Sequence, residues 1–210
     1  MSTAALTGPQ RAPLAFGGAS VDGSLYSRIT GMARHAPHIL GTPLAAWSTY
    51  GLVLLAVLMA VGWWRARHGA AARMSTALCA PLAAVVAFGI DDAVKSVFRE
   101  QRPCQVLHTV TIETCPPPGD WSFPSNHTAI AAAAAVAILM TDRRLGAIAV
   151  PAALLMALSR VWVGAHYPHD AAVGLLVGGL TGWAVTGAAR RAAPAVERLR
   201  MSRLRFWFIA

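Results

Sequence analysis

Between Pro43 and Trp64 the chain runs 22 residues without a charged side chain, and this stretch limits the fold more than any other feature. A helix of that length rises about 33 Å, enough to cross a hydrocarbon core of about 30 Å. Four further apolar stretches follow. Met74 to Ile90 continues through Asp91-Asp92-Ala93-Val94-Lys95 to Phe98; Pro124 to Met140 is mostly alanine; Leu145 to Val163 and Ala171 to Ala189 complete the set. In lipid every backbone N–H and C=O needs a partner within the chain, which a helix supplies. The expected fold class is therefore all-α, a polytopic helical membrane bundle of about five transmembrane helices.

Ahead of the spans, Leu25, Tyr26, Ile29 and Met32 recur at helical spacing among Arg28, Arg34, His35 and His38. Residues 21 to 40 thus read as a short N-terminal interfacial helix. Residues 1–20, rich in Ala, Gly, Pro and Ser, read as a disordered N-terminal tail, 21–190 as one membrane domain, and 191–210 as a basic cytoplasmic C-terminal tail. In that tail Arg203-Leu-Arg-Phe-Trp-Phe208 reads as an interfacial anchor on anionic lipid. No basic stretch leads into a short apolar run with a small-residue cleavage site, so no signal peptide is expected.

Charge then sets orientation. The net charge is +9, with Lys95 the one lysine among 18 basic residues. In a soluble chain this would point to nucleic acid; with 56% hydrophobic and 13% charged residues it points to membrane topology instead, and nucleic acid is not an expected partner. Arg65, Arg67 and Arg73 follow the first span, Arg143 and Arg144 the third, and Arg190, Arg191, Arg198, Arg200, Arg203 and Arg205 the fifth. The positive-inside rule makes that side cytoplasmic. The N-terminus and the loops Arg99 to Phe123 and Gly164 to His169 then lie outside.

Three polar clusters gather at those outer ends: Lys95-Ser-Val-Phe-Arg-Glu-Gln-Arg102-Pro103, Phe123-Pro124-Ser125-Asn126-His127-Thr128, and Ser159-Arg160-Val-Trp-Val-Gly-Ala-His166-Tyr-Pro-His169-Asp170. Each member has a plain structural alternative. Lys95 can snorkel or pair with Asp91 one turn away; Arg160 can snorkel as well. His127 can be a hydrogen-bonded interior histidine, and His166 with Asp170 a structural pair. The coincidence outweighs these alternatives, because three cations, two histidines and a carboxylate converge on one membrane face, where ionisable groups are costly.

Their chemistry complements a phosphoryl group. Arginine forks grip phosphate oxygens and lysine adds a point charge. Ser125 can cap the third span while backbone N–H groups near Asn126 and His127 face an anion. Asp170 can fix the His166 tautomer and leave the other nitrogen free to attack, with His127 as general acid. Lys95, Arg102 and Arg160 can balance the spread charge without a metal; the outer side offers few carboxylates beyond Asp170, so neither metal nor cofactor is expected.

Together the clusters resemble the type-2 phosphatidic acid phosphatase superfamily, whose signatures are Lys–six residues–Arg-Pro, Pro-Ser-Gly-His, and Ser-Arg–five residues–His–three residues–Asp. The first and third match without a gap; Asn126 stands where the second has Gly. The resemblance implies His166 as nucleophile through a phosphohistidine, Asp170 as its orienting partner, His127 as acid and later base, and Lys95, Arg102, Ser125, Asn126 and Arg160 as phosphate binders. His169 falls outside the signature positions.

Within the superfamily, the short chain and the runs around His127 and His166 are similar to bacitracin-resistance-type undecaprenyl pyrophosphate phosphatases, which usually carry Asp at position 126. This implies a lipid phosphate or pyrophosphate substrate met among membrane lipids, with the reaction on the outer face of the plasma membrane. Phosphatidate, phosphatidylglycerol phosphate and polyprenyl-phosphosugar phosphate are the alternative substrates, and a non-catalytic lipid transporter or scaffold is the alternative class. Cys104 and Cys115 share the outer loop, where a disulfide is chemically permitted and two free thiols are equally so.

Overall fold

A computed structural model describes residues 17–201; the terminal segments 1–16 and 202–210, including the expected anchor at 203–208, lie outside the described residues. The described elements are helical: α1 (Ala19–His35), α2 (His38–Ala66), α3 (Ala71–Phe98), α4 (Pro103–Leu107), α5 (Asn126–Thr141), α6 (Arg143–Trp162), α7 (Pro168–Ala189), a 3-10 turn (Arg190–Ala192) and α8 (Ala193–Arg200). The fold is an all-α membrane bundle.

Four helices, beginning at His38, Ala71, Arg143 and Pro168, are long and apolar enough to cross a membrane, one fewer than the sequence predicts. The difference is α5, whose 16 residues rise only about 24 Å. Its position explains its composition. It packs against α2, α3, α6 and α7, and Ala131 to Ala135 are all buried. A helix enclosed by protein needs small side chains for close approach rather than large ones to face lipid. The large apolar residues point outward from the surrounding helices instead, with Val53, Val57, Leu82, Val85, Leu158, Leu176, Leu180 and Trp183 all exposed.

Glycine sets the tightest contact. A Cβ at Gly174 would stand 2.8 Å from Ser125 O, one at Gly178 2.8 Å from Ala129 Cα, and one at Gly182 2.6 Å from Ala133 O. The two helices thus match four-residue periods of small residues, which draws the α7 backbone against α5. Gly179, the next residue along α7 from Gly178, faces open space.

The N-terminal helix ends earlier than the pattern predicts. Ala36 precedes a proline, is extended (ψ 143°), and separates α1 from α2, so Ile39 and Leu40 begin the first span. The α1 helix lies on α6, α7 and α4 with Tyr26 fully buried, while Leu25 and Met32 of the same expected apolar face are exposed. At the other end of the bundle α8 packs on α3, and Val196 joins Ala66, Met74 and Ala77 in a small core.

Candidate active site

The ends of α3, α5, α6 and α7 and the loop from Arg99 to Ser125 converge at one end of the bundle. Lys95 closes the last turn of α3 and Arg102 directly precedes α4, while Ser125 is the N-cap of α5. Arg160 occupies the last turn of α6, His166 the loop after it, and Asp170 the first turn of α7. All three cations are buried, and each has partners, as buried charge demands. Lys95 Nζ donates to Trp121 O at 3.0 Å rather than pairing with Asp91. Asp91 is fully buried, and neither of its carboxylate oxygens has a hydrogen-bond partner.

His166 is 2% exposed. Its Nδ1 lies 3.3 Å from Asp170 Oδ2, and its Nε2 lies 3.3 Å from Arg102 Nη1. A carboxylate accepts and a guanidinium only donates, so the partners assign the proton to Nδ1 and the lone pair to Nε2. Burial, followed by the charges of Arg102, Arg160, Lys95 and His127, holds the imidazole well below its ordinary pKa. That direction favours the neutral ring, in which one nitrogen keeps its lone pair.

Asp170 is held from several sides. Its Oδ2 accepts from Ser122 Oγ and from the Tyr167 N–H at 2.9 Å, the latter closing the first turn of α7 as an N3 acid does in a capping box. Ser122 is itself a hub: its N–H donates to Glu100 O at 2.7 Å, and its carbonyl lies 3.5 Å from Lys95 Nζ. Ser122 is not legible in the sequence, because a neutral hydroxyl beside a signature has no distinguishing spacing.

The first turn of α5 opens at this end. Its leading N–H groups have no intrahelical acceptor, and the Ser125 side chain does not cap them. Ser125 Oγ accepts instead from Thr128 at 3.0 Å. Asn126 is half-buried with Oδ1 unpartnered, and it has ordinary helical backbone angles: among described non-glycine residues only Arg99 and His108 have positive φ. The position therefore makes no demand that only glycine could meet. His127, half-buried, lies within electrostatic reach of Arg160, Glu113, Lys95 and Arg102. The structure thus gathers all eight sequence-predicted site residues at this end.

Carboxylates are more numerous here than the sequence predicts. Glu113 pairs with Arg160 and Asp120 with Arg102, while Asp22 and Glu100 flank His169. The His169 ring spans Asp22 Oδ1 at 2.9 Å and Glu100 Oε1 at 3.2 Å, tying α1 to α7, and stacks on Tyr167. Among described residues, Glu100, His169 and Asp170 form a group able to ligate an ion, with ligand atoms within 4.8 Å of one another. Tyr26 OH donates to Gly164 O at 3.0 Å, a second tie from α1 to the loop bearing His166. Cys104 and Cys115 form a disulfide that closes the loop carrying Glu113.

The family profile described as the PAP2 superfamily matches residues 76–193. The undecaprenyl-diphosphatase BcrC of Bacillus subtilis is 31% identical over 159 residues, covering 76% of this chain and 79% of that protein. The decaprenylphosphoryl-5-phosphoribose phosphatase of Mycobacterium tuberculosis H37Rv is 37% identical over 63% of this chain and 68% of its own length. Among solved structures, Aquifex aeolicus LpxE superposes with a TM-score of 0.62 at 24% identity, covering 78% of this chain and 93% of that one, which shows the shared fold. Matched over more than half its length, the chain belongs to the PAP2 superfamily and is a membrane phosphatase, a hydrolase.

Proposed function

We propose that this phosphatase converts a polyprenyl diphosphate of the undecaprenyl type to the monophosphate and inorganic phosphate, on the extracytoplasmic face, through a phosphohistidine at His166. One observation carries the mechanism: Nδ1 of the buried His166 lies 3.3 Å from Asp170 Oδ2, while Nε2 lies 3.3 Å from Arg102 Nη1. Nε2 attacks the terminal phosphorus, and the bond from that phosphorus to the bridging oxygen breaks. His127 gives its proton to the departing lipid monophosphate. Asp170 stabilises the positive charge that grows on the ring. His127 then takes a proton from water as the water attacks the phosphohistidine; the P–N bond breaks and inorganic phosphate leaves. Lys95, Arg102, Arg160 and the first N–H groups of α5 balance the equatorial oxygens throughout.

Charge supports this choice of face. The arginine-rich linkers and α8 stand at the end opposite His166, and the positive-inside rule puts such an end in the cytoplasm. The diphosphate reading rests on the similarity to undecaprenyl-diphosphatase BcrC. The test is a panel of undecaprenyl diphosphate, phosphatidate, phosphatidylglycerol phosphate and a polyprenylphosphoryl sugar phosphate, assayed with purified protein in detergent. The diphosphate is expected to give the highest kcat/KM, by about tenfold or more, a difference of about 1.4 kcal/mol in transition-state binding. A wide preference for phosphatidate or the sugar phosphate would overturn this assignment.

A further inference from the structure

Both guanidiniums at the site are fixed from behind and covered from in front. Behind, Arg160 Nη1 donates to Ser48 Oγ on α2 at 2.7 Å, and Arg102 Nη1 donates to Ala165 O at 2.9 Å. In front, Glu113 takes the Arg160 fork with both oxygens, at 2.8 and 3.2 Å, and Asp120 takes Arg102 Nη2 at 2.9 Å. The arginine side chains are 5% and 8% exposed, their carboxylate partners 39% and 48%. In each pair, then, the cation is the anchored half and the anion the half that reaches the surface. Both carboxylates belong to one outer loop. Glu113 sits two residues before the Cys115 end of the disulfide, its N–H bonded to Val163 O at 3.1 Å.

A carboxylate seated in an arginine fork stands where two phosphoryl oxygens would bind. We propose that Glu113, supported by Asp120, is a specificity-determining charge filter, which a head group must displace and which admits terminal phosphoryl groups while rejecting phosphodiesters. This rests on reading the site as a phosphoryl site. A phosphodiester carries one negative charge, as the carboxylate does. Exchanging one for the other gains no Coulomb energy and replaces a tethered partner with an untethered one. A terminal phosphoryl group carries about −1.5 to −2 near neutral pH and offers three acceptor oxygens, so it wins on charge and on hydrogen bonds. The filter answers a problem of location: phosphodiester head groups surround a membrane phosphatase in large excess over its substrate, and an uncovered arginine fork would fill with them.

Two soluble ions test this on the detergent-solubilised full chain, without turnover. Inorganic phosphate stands for the terminal group and dimethyl phosphate for the diester, with affinity read by titration calorimetry. Wild-type protein is expected to bind phosphate about tenfold more tightly than dimethyl phosphate, or better. Glu113→Gln, which keeps the shape and removes the charge, is expected to narrow that ratio to about threefold or less by strengthening diester binding. Glu113→Asp should preserve the wild-type order. Asp120→Asn should shift the ratio in the same direction, and serves if Glu113→Gln does not fold. Equal binding of both ions by wild type, or an unchanged ratio in both neutral variants, would overturn the filter while leaving the phosphoryl site standing. Binding of neither ion by wild type would remove the phosphoryl-site reading and the filter with it.

Discussion

Ser122 shows what a single residue adds to the signatures. Fully buried, it donates to Asp170 Oδ2, and its carbonyl lies against the Lys95 ammonium, so it links a residue from the first cluster to one from the third. It touches Asp170 rather than the reacting atoms, which makes it a positioning residue. Ser122→Ala is expected to lower kcat about tenfold while KM changes little, because outer partners of this kind orient a group rather than bind substrate. Ser122→Thr, which keeps the hydroxyl, should recover most of the loss; a rise in KM with kcat unchanged would contradict the assignment. Ionisable residues at fixed spacings made Lys95, Arg102, Arg160, His127, His166 and Asp170 legible in the sequence. Glu113 and Asp120 were not, because loop acids become meaningful only once the chain folds them onto arginines far along the sequence. The pairing of His169 with Asp22, separated by 147 residues, was hidden for the same reason.

Among the elements, α5 departs most from what composition alone predicts. Its apolar alanines read as a span, whereas they let four helices close around it and leave His127 and its leading N–H groups at the site end. The spacing of Gly174, Gly178 and Gly182 was visible in sequence, but their partner surface on α5 was not, so Gly179 could not be separated from them. Structure separates them sharply. Gly178→Val would drive a side chain into the Ala129 backbone and is expected to destabilise the protein by about 1–3 kcal/mol. Gly179→Val, facing open space, should stay within about 0.5 kcal/mol of wild type. Unfolding midpoints in mixed micelles check both values; equal effects would mean that the α5–α7 contact is not the tight one.

Across the whole molecule, chemistry and topology lie at opposite ends. His166, its partners and the α1 helix docked over them occupy one end; Arg65, Arg73, Arg143, Arg144 and Arg190 gather at the other. That segregation was legible early, since span length and arginine placement are properties of sequence order alone. The docking of α1 was not, because amphipathic spacing shows that a helix has a face and not what the face meets. The proposed reaction makes His166 the nucleophile. It is tested most directly by phosphate release from undecaprenyl diphosphate by purified His166→Ala protein whose unfolding midpoint is close to wild type. A rate reduced by about a thousandfold or more is the predicted result. Turnover within tenfold of wild type by the folded variant would contradict it.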